Sequence, residues 1–444
     1  MTINSLLFKY LVYYPVTLLR GEYPGRALKK LIKSQYYDST KIIYQQEKDF
    51  LRLIAHAKKT TTYYKKTIPN DISSLDKIIN IPLLDKSLIR NDASSFISHK
   101  FCGLTRSKTT GGSTGAPVTI VKNNFGMAKE LAATWRGYTW ANIQIGDKQA
   151  RFWGVPMEKR ARLRARIIDF VANRIRLSAF SFSEKDMQEY VAVIKQEKPI
   201  YFYGYVSMIK QFAQFVEKYA AQDRFKLKCI ITTSEVLTAS DKHYIASVFQ
   251  CPVYNEYGCG EIGTIAHECE HGKLHINAEN MIVEIINKNG VPVKEGESGE
   301  IVVTDLTNYS MPLIRYRMKD FGSVSHEPCT CGINLPILTN IHGREYDMIQ
   351  NSAGDKFHGE FFLYMVEDAK KIGIAVEGFQ LEQIAIDHLL IKAVCGKDDF
   401  EKFKGFMTQK ILHEYAANTH ISFENPKDIT REKSGKLRVI KGLQ

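Results

Sequence analysis

The sequence predicts an α/β fold: a large N-terminal domain of α/β sheets with a β-rich subdomain, then a small, mobile C-terminal α+β domain. Three observations predict it. Short β-rich runs alternate with helices between residues 145 and 305. From MIVEIINKNGVPVKEGESGEIVVTD the pattern changes to alternating strands around the turn signals Asn289-Gly290 and Glu297-Ser298-Gly299. A last stretch beginning near Gly343 holds about 100 residues, enough for a separate small domain. The domains are therefore set at 1–342 and 343–444.

Each element has its own reason. Residues 1–100 read as helix-rich, and YQQEKDFLRLIAHAKK sets Phe50, Leu51, Leu53 and Ile54 at helical spacing. IPLLDKSLIRND is a turn into a helix with Asp85 as N-cap. PIYFYGYV, SMIKQFAQFVEKYAA, LKCIITTSEV and DKHYIASVF run strand, helix, strand, helix, the order of a mostly parallel sheet. In the last domain FQLEQIAIDHLLIKAV is strand-like. DDFEKFKGFMTQKILHEYAA is a helix capped by Asp398 or Asp399, and a terminal strand precedes a basic tail.

The 444 residues, 44% of them apolar, supply a substantial core. A formal charge of +13 attracts polyanions without choosing among nucleotides, nucleic acid, anionic lipid and acidic sugars. No nucleic-acid module or stripe of interleaved aromatic and basic residues is visible, so a nucleic-acid partner is excluded. Oligomeric state is not readable. A chain this long does not need disulfide staples, and its eight cysteines fit a reducing cytoplasm. The N-terminal run SLLFKYLVYYPVTLLR is broken by Lys9 and Pro15, too short to span a bilayer, and without a signal-peptide cleavage site. It reads either as a helix packed on the core or as one lying on a membrane surface. The first is preferred, because surface helices carry a strongly charged polar face.

The stretch SKTTGGSTGAP (107–117) is a loop of glycines and hydroxyls free of bulky side chains, whose N–H groups can turn toward phosphate oxygens. It is not a Walker A loop, for no Gly-Lys-Ser/Thr ends it. By itself it could equally be a surface loop. Further along stand NEYGCGEIG (255–263), TDLTNYSMPLIRYRMKD (304–320), GREYDMI (343–349) and SGKLR (434–438). In this order and at these separations the motifs resemble the adenylate-forming superfamily, and within it the phenylacetate–CoA ligase-like branch with its capsule-biosynthesis proteins of the CapK type. The resemblance runs from PLLDK through SGK.

That resemblance implies an enzyme joining ATP to a small-molecule carboxylate as acyl-AMP, then passing the acyl group to CoA or to an amine. Thr110, Gly111, Gly112, Ser113, Thr114 and Gly115 would hold the ATP phosphates. Glu261 would bind Mg²⁺, a hard cation that wants carboxylate oxygens beside phosphate. Asp320 would accept both ribose hydroxyls, and Arg344 would contact ribose or phosphate with its guanidinium fork. Ser234, Glu235, Tyr257 and Gly258 would border the adenine. Lys436 would neutralise charge at the α-phosphate as the acyl–phosphate bond forms. Trp135, Tyr138, Trp140, Tyr203 and Tyr205 are candidates for the acyl pocket, although aromatics at these spacings also serve as core. Three positions depart from the family pattern: Ala116 replaces a lysine, Gly260 a threonine and Tyr346 a hinge aspartate. They support the alternative of a degenerate member acting as a membrane-peripheral glycan-assembly scaffold.

His267, Cys269, Cys329 and Cys331 form H-x-C and C-x-C pairs, together enough for a tetrahedral structural zinc, with Cys259, His271 and His275 as rival ligands. The basic run MEKRARLRARIIDFVANRIR (157–176) is either a solvated face or a site for CoA phosphates, an acidic glycan or an anionic membrane. With the apolar N-terminus, it makes peripheral membrane contact an expectation for a cytoplasmic protein.

Overall fold

The computed structural model describes residues 3–101, 103–109, 118–153, 159–178, 184–220, 223, 225–344, 348–430 and 437–443. The chain forms two units, Met1–Met318 with Gly322–Asn340, and Lys319–Phe321 with Ile341–Gln444.

The first unit opens with α1 (Ile3–Phe8) and α2 (Tyr14–Leu19), joined by a π turn over Lys9–Tyr13. Then come α3 (Pro24–Ser34), α4 (Ser39–Thr60), α5 (Thr62–Thr67) and α6 (Lys86–Asn91). α4 is the helix its periodicity predicts. Asp38 caps it by accepting from the Lys41 N–H at 2.8 Å, and Phe50, Leu53, Ile54 and Ala57 are buried. Truncating Phe50 to alanine would cost about 3–5 kcal/mol. Asp85 stands at the N-cap of α6, but its carboxylate faces Arg317 at 3.4 Å and not the helix's own N–H groups.

Next are the hairpin β1 (Thr105–Thr109) and β2 (Thr119–Asn123), then α7 (Asn124–Trp140), β3 (Gln149–Trp153), α8 (Lys159–Val171) and β4 (Arg174–Ser178). They lead into α9 (Glu184–Glu197), β5 (Tyr201–Tyr205), α10 (Val206–Tyr219), β6 (Cys229–Thr233), α11 (Ala239–Phe249) and β7 (Val253–Cys259). The strands β8 (Gly263–Glu268), β9 (Leu274–Ile276), β10 (Met281–Ile286), β11 (Gly299–Asp305), β12 (Tyr316–Ser325) and β13 (Ile337–Arg344) complete the series.

These strands build one sheet in the order β10-β11-β12-β13-β9-β8-β7-β6-β5-β3-β4. β3, β4, β5, β6 and β7 pair in parallel, and the central strands β5 and β6 are buried along their whole length, covered on both faces. One face carries α9, α10 and α11 on a core around Phe152, Phe202 and Phe212. The other carries α7 over Tyr201, Tyr203, Cys229 and Ile231. The sequence places the change to antiparallel pairing near residue 281. It comes at β8, which pairs antiparallel with β7, so the β-rich section continues the same sheet.

The second unit holds β14 (Met348–Gln350), β15 (Lys356–His358), α12 (Glu360–Lys371), β16 (Gly378–Ala385), β17 (His388–Val394), α13 (Lys397–Glu414), β18 (His420–Glu424) and β19 (Ile440–Lys441). Its sheet runs β18-β17-β16-β19, and Phe362, Leu381, Ile391, Phe403 and Met407 fill its core. FQLEQIAIDHLLIKAV is two strands that turn at Ile386-Asp387, paired Leu381 to Ile391. The N-cap of α13 is Gly396. Asp398 and Asp399 lie in its first turn, where carboxylates favour the helix dipole without capping it.

Candidate active site and metal cluster

The loop Thr110–Gly115 lies outside the described residues, but its stem does not. β1 and β2 pair antiparallel up to Thr109 and Thr119, whose hydroxyls are 3.0 Å apart, so both ends of the loop are pinned together. On β2 the fully buried Lys122 donates to Glu130 Oε2 at 2.6 Å and to the Ile262 carbonyl at 2.7 Å, with Asp305 at 3.8 Å. Burial pushes its pKa down, yet Glu130 and Asp305 more than offset this and hold the ammonium above its ordinary value. Lys108, on the other stem strand, reaches Glu130 Oε1 at 2.5 Å. The stem is thus tied by a buried lysine to the turn between β7 and β8, 140 residues away.

That turn carries Glu261. It is buried and 2.9 Å from Lys86. Burial raises its carboxyl pKa, but the Lys86 ammonium, aided by backbone and Cys259 hydrogen bonds, holds it below the usual range. An ionised carboxylate at this place suits a hard divalent cation. Before it, Tyr257 and Gly258 lie near the end of β7, which ends at Cys259. A Cβ on Gly258 would meet the Gly263 carbonyl at 2.3 Å, so only glycine lets the strands approach. Ser234, following β6, is exposed and holds φ of +68°, a strained left-handed conformation for a serine. Glu235 accepts from the Ser207 N–H at 2.7 Å and hydroxyl at 2.9 Å, a contact that caps the start of α10.

Asp320 belongs to the second unit and is partly buried in β12, next to Lys319 with its φ of +60°. Arg344 ends β13. Lys436 and Tyr346 lie outside the described residues, as does Ala116. The segment carrying Lys436 is anchored beyond it, where the Gln380 amide donates to the Arg438 carbonyl at 2.8 Å and Leu381 N–H to that of Val439.

A second polar group sits beneath α7. Thr233, Glu256, His267 and His275 are paired in register across β6, β7, β8 and β9, and so share one face of the sheet. Tyr203 donates its hydroxyl to Glu256 Oε1 at 2.9 Å, while Oε2 has no partner among the described residues. Burial drives the Glu256 pKa up to about 7, against the pull of the Tyr203, Thr233 and Tyr138 hydroxyls and of Arg151. The Arg151 guanidinium lies 4.4 Å from the Trp153 ring and 5.0 Å from that of Tyr203. Among the aromatic pocket candidates, Tyr138 and Tyr203 join this group. Trp135 is core, with its indole N–H on the Tyr13 hydroxyl, and Trp140 donates to Gln35 while its ring flanks both histidines. Tyr205 packs on Trp153.

The cysteines gather as expected, but with a different histidine. Cys269, Cys329, Cys331 and His275 bring their ligand atoms within 4.8 Å of one another. His267 is not among them. Its ring is fully buried against α7, where a Cβ on Gly137 would meet its Cγ at 2.5 Å, and its Nδ1 lies 3.0 Å from the Glu268 carbonyl. β8 ends at Glu268, so Cys269 begins the next turn and leaves the alternation that H-x-C assumes. His275 faces the cluster instead. Its Nδ1 donates to the Leu335 carbonyl at 3.1 Å, which leaves Nε2 with a free lone pair, 3.3 Å from Cys331 Sγ. Two matching turns present the thiols: the Gly272 N–H donates to the Cys269 carbonyl and that of Gly332 to Cys329, each at 3.0 Å and each glycine at positive φ. The 3.8 Å between Cys269 and Cys329 sulfurs matches the edge of about 3.8 Å expected for thiolates 2.3 Å from a tetrahedral zinc. The residues fit that metal. The repeated C-x-x-G spacing was the sequence signal for both turns.

Motif reading passed over Lys86, Lys122 and Glu256. The only hint was a charge between Asn255 and Tyr257 inside an apolar strand.

Comparison with known proteins places this geometry. Residues 109–309 match the family model described as AMP-binding enzyme. Protein CapK of Staphylococcus aureus is 22% identical over 435 residues, 93% of each chain. The phenylacetate-coenzyme A ligase of Thermus thermophilus is 23% identical over 330 residues, 68% of this chain and 70% of that protein. Among solved structures, 2-hydroxyisobutyryl-CoA ligase in its postadenylation state, bound to an acyl-adenylate, superposes with a TM-score of 0.74 at 16% identity, covering 93% of this chain and 92% of that one. The same ligase in an open conformation with 2-HIB-AMP and CoA gives 0.57 at 17% identity, over 89% and 90%.

Proposed function

We propose that the chain is an acyl-adenylate-forming ligase of the adenylate-forming superfamily, on its phenylacetate–CoA ligase-like branch, and that its residues divide the work as follows. The substrate carboxylate attacks the α-phosphorus of ATP, pyrophosphate departs, and R–CO–AMP forms. The acyl carbon then passes to the CoA thiol or to an amine, with AMP leaving. Activation is needed because a carboxylate is a poor electrophile.

The observation that carries the proposal is the Lys122 bridge. It joins the stem of the phosphate loop to the Glu261 turn, so two motifs far apart in sequence share one buried ionic knot. Thr110 to Gly115 would cradle the phosphates, and Glu261, kept ionised by Lys86, would hold Mg²⁺ beside them. Tyr257, Gly258 and Ser234 would border the adenine. Glu235 would act there indirectly, through the start of α10. Asp320 and Arg344 would take the ribose, and Lys436 the α-phosphate. Tyr138, Tyr203, Arg151 and the open oxygen of Glu256 favour an acid with polar groups on its acyl part. Cys269, His275, Cys329 and Cys331 would hold a structural zinc, every ligand coming from protein.

CoA is the acceptor named for the solved relatives; an amine would suit work on capsule or surface polysaccharide, the setting implied by likeness to CapK. A cytoplasmic, membrane-peripheral location is part of the same proposal. No helix of the described residues is long and apolar enough to cross a membrane. The scaffold alternative rests on Ala116, Gly260 and Tyr346.

A panel of carboxylates scored by pyrophosphate release, weighted toward hydroxy and amino acids and repeated with CoA and with amines, tests the reading. Lys436→Ala should lower acyl-AMP formation by about a hundredfold or more while ATP still binds. Unchanged adenylation would remove Lys436 from its role, and ATP binding without any pyrophosphate release across the panel would favour the scaffold.

A further inference from the structure

The N-terminal helices are folded with the wrong face out for a helix that only packs on a core. Ser5, Tyr13 and Thr17 are buried, whereas Leu7, Leu11, Leu18 and Leu19 are 51%, 69%, 54% and 86% exposed. The sequence favours a helix packed on the core, and Tyr13 does join the core beside Trp135 and Tyr138, but the leucines lie on the opposite side: periodicity defines an apolar face but not the side on which it lies.

The orientation is built in. The Ser5 hydroxyl donates to Asp147 Oδ1 at 2.8 Å, and the Trp135 indole N–H to the Tyr13 hydroxyl at 2.8 Å. Gly146, at φ of +98°, lets the α1 backbone come so close that a Cβ there would meet the Ser5 carbonyl at 2.1 Å. Polar and small groups face inward and find partners, so the leucines outside are not the result of a loose helix.

The apolar surface continues onto α8. The Phe8 and Phe170 rings meet edge to face, 6.0 Å between centroids. Leu163, Ile167 and Phe170, at i, i+4 and i+7, are exposed along one stripe of α8. The sequence of that helix carries Lys159, Arg160, Arg162, Arg164 and Arg166. Residues 3–21 contain no acid, and the one acid of α8, Asp169, is held by Arg174 and Arg176.

We propose that this surface rests on an anionic lipid bilayer, its leucines and aromatic rings in the headgroup–acyl boundary and the net positive charge of the α8 sequence drawn to lipid phosphates. Charge selects this occupant. A second copy of the chain would bring one basic helix against another, and neutral lipid offers no charge to match the basic sequence of α8. The proposal rests on the membrane-peripheral location proposed above and gives it a surface and a lipid class; the adenylation chemistry stands or falls separately.

The test uses the full chain and sedimentation with vesicles of phosphatidylcholine, alone or mixed with phosphatidylglycerol. Wild type should pellet with the mixed vesicles and little with the neutral ones, and salt should weaken it. Leu11→Glu with Leu18→Glu should reduce partitioning about tenfold or more at unchanged melting temperature, since both side chains are already in water. A separate variant, Leu163→Glu with Ile167→Glu, should do the same. Absence of vesicle binding would overturn the proposal, as would binding by both variants equal to that of wild type. So would a concentration-dependent dimer that the variants abolish, which would give the face to a second copy.

Discussion

Two ends of one row of residues under α7 use the same device for different purposes. At the β9 end, three thiols and the His275 imidazole point at one another within 4.8 Å. Their remaining valences converge on a single point, as ligands to a cation do. At the β7 end, Glu256 is equally buried but faces outward in bonding terms: one oxygen takes the Tyr203 hydroxyl and the other takes nothing among the described residues. His267 stands between them, and its Nε2 is also unpartnered. Buried polar groups are costly unless satisfied. The comparison teaches that one end has the donor set of a site that an ion would complete, whereas the other would be completed only by a proton or by something that binds.

The largest break in that comparison is loss of the cation. Protein purified without chelator should carry close to one zinc per chain. Cys329→Ser should lower the metal content and destabilise the first unit by several kcal/mol, in line with the folding free energy that structural zinc supplies. The two histidines sharpen it. His275→Ala should lose metal like Cys329→Ser, while His267→Ala should retain it and lose only packing beneath Gly137 and Tyr138. Metal analysis and thermal melts on the three variants check this; zinc lost from His267→Ala but kept by His275→Ala would restore the H-x-C reading.

The legible and illegible parts of this chain divide along the same line. Strands such as IYFYGY and helices such as α4 announce themselves by local period, and the ordered motifs mark out the proposed site from Gly111 to Lys436. What depends on register or on direction does not show. His275 and Cys331 meet because β9 pairs with β13, a relation that no local spacing records. The outward leucines of α1 and α2 have the same period as inward ones would. FQLEQIAIDHLLIKAV hides its turn because Ile386-Asp387 lacks the glycine or proline that marks most hairpins. Glu256 is buried by its neighbours on β5, β6 and α7, and not by anything within its own segment.

A smaller effect probes the Glu256 end. Its folded pKa, raised by burial to about 7, lies above the value of about 4.3 for an unfolded glutamate. The native state therefore binds the proton more tightly than the unfolded one. Stability is highest below pH 4 as far as this group is concerned, falls between about pH 4 and 7, and is level above that. The full fall is roughly 4 kcal/mol. Glu256→Gln should remove this slope from the melting-temperature profile and be more stable than wild type at pH 8. If the slope persists in the variant, another group causes it. Substrate binding should weaken in the same variant if the open oxygen serves the acyl group.

The smallest effect comes from the hydroxyl that Glu256 already has. In Tyr203→Phe the ring remains in the core with Tyr201, Cys229 and Ile231, so little packing is lost. The missing O–H···O bond to Oε1 matters differently in the two protonation states. Below pH 5 the carboxyl is neutral, and loss of an ordinary hydrogen bond should cost about 1 kcal/mol. Above pH 8 the carboxylate is charged, and the same bond is charge-assisted, so its removal should cost about 2 kcal/mol. The Glu256 pKa must then rise further, because one of the groups that eases its charge is gone. The pH at which stability levels off should move upward by an amount set by the difference between those two costs, under one pH unit. Melting curves of wild type and Tyr203→Phe across pH 5 to 9 read the displacement directly. The same substitution should leave zinc content untouched, because the clip at the far end of the row shares the sheet with Tyr203 but none of its bonds.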